Sequence, residues 1–269
     1  MNILLASMEL ESLTGQPMYT YHLAKGLVEL GHEVVATAPR IGGKIKPMFE
    51  SLGVELVPMI TNRYADDYDL IVLAEIMTAG VLDYADGKAY NLLHSKHDLD
   101  RPILDDRLAG YIAPRAEVFE HHNESGEIIP IPIDLEKYNK ELIPHETYTV
   151  LVPCTKDWLR KPMLLDLINR AINDDIEVVM IGDDKGGLDG VETPENVKLL
   201  PSDANLVPYM QRADEVAGIF EGTVTFEATA MGLKTSVYDE KGNWEYKDLS
   251  KQIKDHDYKK VAQQFLNLI

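Results

Sequence analysis

Gly222 is followed by Thr223, Val224, Thr225, Phe226 and Glu227, then by Ala228-Thr229-Ala230-Met231-Gly232 and the short run Lys234-Thr235-Ser236-Val237-Tyr238. The pattern reads as a glycine turn, a helix that begins at once, and a strand. A helix N-terminus exposes unpaired backbone N–H groups and carries partial positive charge. A glycine in front of it lets the turn approach a ligand, so Gly222, Thr223 and Val224 suit a phosphate. Glu227, one turn further in, is placed to accept hydrogen bonds from a ribose attached to that phosphate. Arg160 and Lys161 offer fixed cations that could neutralise a departing diphosphate without a metal. Together these residues spell the chemistry of a nucleoside diphosphate site.

Other chemistries find less support. Gly182-Asp183-Asp184-Lys185-Gly186-Gly187 lacks the Gly-Lys-Ser/Thr that opens a P-loop helix. His121 and His122, beside Glu120 and Glu124, are adjacent on one helix and so point apart, which disfavours a metal site. No Gly-x-Ser-x-Gly elbow occurs. Asp66-Asp67-Tyr68-Asp69 has an Asp-x-Asp spacing but precedes a strand, and reads as a solvated turn. The single Cys154 excludes an intrachain disulfide framework and a cysteine zinc cluster. The net charge of −19 disfavours binding through a nucleic-acid backbone, which needs a basic surface. The one compact cationic group, Lys156 with Arg160 and Lys161, is sized for a single diphosphate.

These residues need a scaffold of strand-to-helix turns, and the chain supplies one. Apolar runs of strand length alternate with helical periodicity, which argues for parallel α/β units. Strands are expected at 2–6, 33–38, 54–59, 69–74, 89–93 and 107–112, and an extended Pro-rich link at 127–133. A second set follows at 147–153, 177–181, 197–200, 215–220 and 234–237. Helices are expected at 16–30, 46–52, 163–173 and 205–212, after Gly222, around Val81-Leu82, and at 259–268 as a closing helix. The boundary falls near Pro144, giving domains of 1–143 and 144–269. No apolar run reaches the roughly 18 residues that span a bilayer, and no signal-peptide pattern opens the chain. The simplest compartment is the cytoplasm.

Three stretches in order resemble the retaining glycosyltransferases of the GT-B fold, of the family-4, group 1 type. The first is Asn2-Ile3-Leu4-Leu5-Ala6, a loop with Thr14-Gly15, then His22-Leu23-Ala24-Lys25-Gly26-Leu27 and Gly31-His32-Glu33-Val34-Val35. The second is Ile129-Pro130-Ile131-Pro132-Ile133-Asp134-Leu135-Glu136-Lys137-Tyr138, where the family shows Pro-Asn-Gly-Ile-Asp and an aromatic. The third is the Glu-Ala-x-Ala-x-Gly run from Glu227 to Gly232.

The resemblance implies an α/β protein of two Rossmann-like domains facing across a cleft, with the last helix packing back on the first domain. It implies a hexosyltransferase that moves a sugar from a nucleoside diphosphate sugar, UDP-linked, to an unidentified hydroxyl acceptor. Configuration would be retained, with no metal and no separate cofactor; a modified DNA base is a minor candidate acceptor. Thr14 and Gly15 would close over the donor, and His94 would meet the transferred sugar. Glu75, ending a neighbouring strand, could orient an acceptor hydroxyl.

Departures from the pattern matter. The family's first glutamate falls on Ile219, with Glu221 nearby but turned elsewhere. Its usual arginine falls on Pro153 or Cys154, so Lys156 or Arg160 would substitute. A relative that only binds nucleotides, or a nucleotide-sugar epimerase or hydrolase, therefore stays open. The chain is also short for the family, as trimmed loops would make it.

Overall fold

The computed structural model describes residues 1–59, 67–96, 100–154, 156–203, 205–239 and 241–269. The chain divides into two compact domains, residues 1–132 with 255–269, and residues 133–254.

The first domain holds β1 (Asn2–Ala6), β2 (Glu9–Leu10), α1 (Gly15–Glu29), β3 (Glu33–Ala38), β4 (Arg40–Ile41), α2 (Lys46–Ser51), β5 (Glu55–Pro58), β6 (Asp67–Ala74), a 3-10 turn (Ile76–Asp83), β7 (Asp86–Leu92), β8 (Leu108–Ala113), α3 (Ala116–His122) and β9 (Glu127–Ile128). Its main sheet runs β5-β3-β1-β6-β7-β8-β9, and every pairing is parallel. β2 and β4 form a separate short parallel pair. In β1, Ile3, Leu4, Leu5 and Ala6 are all buried, the continuous apolar run of a strand covered on both faces. β1 lies between β3 and β6, so the strand order reverses direction there. Ligands in such sheets sit outside the carboxyl ends of the strands at that reversal.

The second domain holds β10 (Thr149–Pro153), α4 (Lys161–Asp174), β11 (Glu177–Ile181), β12 (Val197–Leu200), α5 (Val207–Met210), β13 (Glu215–Gly218), α6 (Thr223–Ala230), β14 (Lys234–Tyr238) and β15 (Trp244–Tyr246). The order is β12-β11-β10-β13-β14-β15, parallel except for β15, an antiparallel edge. Its reversal lies between β10 and β13. α4 buries Met163, Leu164, Leu167, Ile168 and Ala171 at helical spacing against the sheet. Asp175, in the left-handed region at φ 53°, ends it.

The chain returns to the first domain in α7 (Tyr258–Leu266). Asp257 caps it, accepting from the backbone of Lys259 at 3.1 Å and Lys260 at 3.2 Å. α7 presents Tyr258, Val261, Ala262 and Phe265 to α1, and the Tyr258 hydroxyl donates to Glu29 at 2.7 Å.

The domain division differs from the expected 143/144 boundary. Ile133 and Tyr138 are buried with the second domain, and the Ile143 amide donates to the Gln211 carbonyl at 2.6 Å. The second domain therefore begins at Ile133, and residues 133–143 belong to it rather than to the first domain. Of the Pro-rich link only Glu127–Ile128 pairs as strand. α5 is a single turn rather than the expected 205–212, and β15 was not expected. Asp66 lies outside the described residues; Asp67 and Tyr68 open β6.

Candidate functional site

The reversal of the second domain brings together the loop after β10 and the turn before α6. Gly222 precedes α6 with φ −117° and ψ −174°, an extended backbone open to any residue. A Cβ there would lie 2.9 Å from Cε2 of the exposed Phe220 ring, which would have to swing aside. The Gly222 carbonyl accepts from the Thr225 hydroxyl at 2.7 Å and starts the helix. The first-turn N–H groups of Thr223 and Val224 have no partner within the helix. Thr223 is 4% exposed, and its hydroxyl oxygen is buried without a hydrogen-bond partner.

Glu227 is 2% exposed, and the buried Tyr138 hydroxyl hydrogen-bonds to it. Burial, together with that carboxylate, pushes the Tyr138 phenol well above its ordinary range. A carboxylate offers about four lone-pair sites, so Tyr138 orients Glu227 without exhausting it. Sequence reasoning did not pair these two. The only sequence signal was the aromatic at the end of the Pro-rich stretch.

The cations behave differently from one another. Lys156 is 3% exposed, and its ammonium donates to the carbonyls of Gly182 and, at 3.3 Å, Leu200. It fastens the loop after β11 to the loop after β10, and is withdrawn as a diphosphate partner. Arg160 lies just before α4 and pairs with Asp157 at 2.6 Å. Asp157 also accepts from the Arg160 amide at 3.1 Å. Lys161 is the first residue of α4, half-buried. Burial pushes the Cys154 thiol up to about 11, so it stays protonated and inert at neutral pH.

In the first domain, the loop after β1 and the end of β7 come together. A Cβ on Gly15 would lie 3.6 Å from His94 Cε1, and Thr14 next to it is exposed. His94 stacks edge-on against Tyr19, with centroids 5.4 Å apart. Its Nε2 is buried without a partner. Burial holds its pKa below the ordinary value; nearby Asp100 opposes this and Arg115 adds to it. Glu9 stitches the loop, accepting from the amides of Glu11 at 2.6 Å and Ser12 at 3.0 Å. Among the described residues no group of three His, Cys, Asp or Glu side chains is arranged to hold a metal. His122 instead meets the Ser95 carbonyl at 2.8 Å.

Solved structures similar to this chain are glycosyltransferases. HepE from Anabaena, in complex with UDP-glucose, matches with a TM-score of 0.67 at 14% identity, over 99% of this chain and 96% of that one. A glycosyltransferase from Rickettsia africae gives 0.63 at 12% identity, over 87% and 78%. An α-glucosyltransferase in complex with UDP and DNA containing an HMU base gives 0.60 at 10% identity, over 87% and 78%. The chain has the GT-B fold. No protein-family model and no curated protein matches the sequence.

Within the GT-B fold the departures noted in the sequence take physical form. Ile219, where the resemblance would set the first glutamate, packs against the core of the second domain. Glu221 is engaged with Lys247 at 3.2 Å, and Lys247 also meets Glu245 at 2.8 Å.

Proposed function

We propose that the protein transfers a sugar from a nucleoside diphosphate sugar, UDP-linked, to a hydroxyl acceptor, with retention and without an obligatory metal. The observation that carries this reading is the turn at Gly222 opening α6, with the buried carboxylate of Glu227 oriented by Tyr138 at the reversal of the second domain. Its backbone amides suit the diphosphate and its carboxylate suits the ribose. That HepE was solved with UDP-glucose on a similar fold supports it.

In the proposed reaction, the bond from the sugar's anomeric carbon to the diphosphate oxygen breaks, and its electron pair stays with the diphosphate. The α6 N-terminus, Lys161 and Arg160 hold the charge that develops there. The acceptor oxygen bonds to the anomeric carbon from the same face, and its proton passes to the departing diphosphate.

A second reading is a nucleotide-sugar binder without turnover. Ile219 in the core and the Arg160–Asp157 pair favour it, because both remove groups a transferase would use. A modified DNA base as acceptor fits poorly with a net charge of −19.

Calorimetric titration with UDP tests the donor site. Glu227→Gln keeps the shape and a partner for Tyr138, and is expected to weaken UDP about tenfold or more, as loss of a charged hydrogen bond does. Unchanged affinity would remove Glu227 from the site.

A further inference from the structure

Residues 139–147 of the second domain run without helix or strand from the buried Tyr138 to β10, and all of them are exposed. Among the described residues, the hydrogen bonds of this strap, apart from those within it and to β10, go to Gln211 and Asp214, between α5 and β13. The Ile143 amide donates to the Gln211 carbonyl at 2.6 Å, and Gln211 Nε2 donates to the Glu141 carbonyl at 2.9 Å. His145 completes the fastening. Its Nε2 stands 2.8 Å from Asp214 Oδ2, and its Nδ1 stands 2.9 Å from the Ile143 carbonyl. Asp214 is itself fixed, its Oδ2 accepting from the Thr149 amide at 2.8 Å and its own amide donating to the Thr149 carbonyl at 2.9 Å.

A neutral imidazole has one N–H, and only the imidazolium has two. Both partners of the His145 ring accept, one a peptide carbonyl and the other a carboxylate, and neither has a proton to give. The arrangement therefore requires the charged ring. Loss of the proton must break one of the two bonds, either the tie to Asp214 or the turn that aims the ring. The charged groups facing the ring are Asp214, just before β13, and Glu177, which opens β11 and pairs with Lys198 of β12 at 2.7 Å. The Ile143 carbonyl, then Asp214, hold the His145 pKa above its ordinary value against partial burial, and Glu177 adds to the rise. With a pKa raised on folding, the stabilisation is complete below the unfolded value of about 6.5 and is lost as pH rises through the folded one.

We propose that His145 is a proton-operated clasp: charged, it fastens the strap to the second domain, and neutral, it lets the strap go. The strap begins directly after Tyr138, whose hydroxyl orients Glu227. Its release therefore loosens that carboxylate and weakens nucleotide binding as pH rises. This last step rests on the donor-site reading, whereas the clasp itself does not.

The test uses the full chain labelled with nitrogen-15. Imidazole NMR, with His145 assigned by its loss in His145→Gln, should show both ring nitrogens protonated at low pH and a midpoint above the ordinary histidine value. Protection of the Ile143 amide, corrected for intrinsic exchange, should fall about fivefold between pH 6 and 9, the effect of a partly exposed charged pair. In His145→Gln that protection should be low and independent of pH. Asp214→Asn keeps an acceptor for the Thr149 amide and should move the midpoint down. UDP affinity, measured by calorimetry, should fall more steeply with pH in the wild type than in His145→Gln. A midpoint at or below the ordinary value, Ile143 protection that ignores pH, or an unmoved midpoint in Asp214→Asn would overturn the clasp. Equal UDP profiles in the wild type and His145→Gln would overturn its link to the donor site. Failure of UDP to bind at any pH would sink the donor-site reading alone, with the strap judged by its own protection.

Discussion

Glu75 also carries a pH signature. Burial, then the neighbouring Asp100, pushes its carboxyl up to about 7, against the Met8 hydrogen bond, with Glu9 adding to the rise. In the unfolded chain it would titrate near the ordinary glutamate value of about 4.3. Between those values the folded protein holds a proton that the unfolded chain has released. Stability from this residue is therefore present at low pH and lost as pH rises through about 7. The full shift would correspond to at most about 4 kcal/mol, and solvent screening of a partly exposed group reduces it. Melting temperatures of wild type and Glu75→Gln, compared from pH 4 to 8, should diverge in favour of the variant as pH rises. A pH-independent difference would contradict the assigned environment. The place of Glu227, one turn into α6, was legible in the sequence because a glycine turn and a helix start precede it. Lys156 was misread because a cation's spacing does not show that backbone carbonyls already hold its ammonium.

At the scale of elements, the parallel strands were readable because strands covered on both faces are written as unbroken apolar runs. β15 and the β2–β4 pair escaped notice: they are two or three residues long and carry little apolar pattern. The closing helix was visible by its periodicity, but not what it covers. Its seat on α1 depends on Gly26, where a Cβ would stand 2.5 Å from the Tyr258 carbonyl oxygen and 2.8 Å from Ala262 Cβ. Replacing a helical glycine by alanine ordinarily gains about 0.5–1 kcal/mol. Here the clash should outweigh that gain, and Gly26→Ala is expected to destabilise by about 1–3 kcal/mol. Thermal melting decides the sign. An unchanged or higher melting temperature would mean α7 does not pack this closely.

At the scale of the whole molecule, two doubly wound domains were legible from the alternation of patterns, while their boundary was not. The second set of strands, starting at 147–153, suggested a division near Pro144, but Ile133 and Tyr138 are buried with the second domain. A partner such as Glu227, distant in sequence, draws Tyr138 there, and no local pattern records it. Among the described residues no helix is long and apolar enough to cross a membrane. Ile219, where the resemblance would set a glutamate, packs against the core of the second domain and leaves the sugar half of the proposed donor site without that carboxylate. That makes turnover, rather than binding alone, the decisive question. The direct measurement is release of the free nucleoside diphosphate from a panel of nucleotide sugars, including UDP-glucose, with and without candidate sugar acceptors. Release that requires an acceptor and falls sharply in Glu227→Gln is the expected result. Tight binding of the nucleotide sugar with no release under any condition would contradict a transferase.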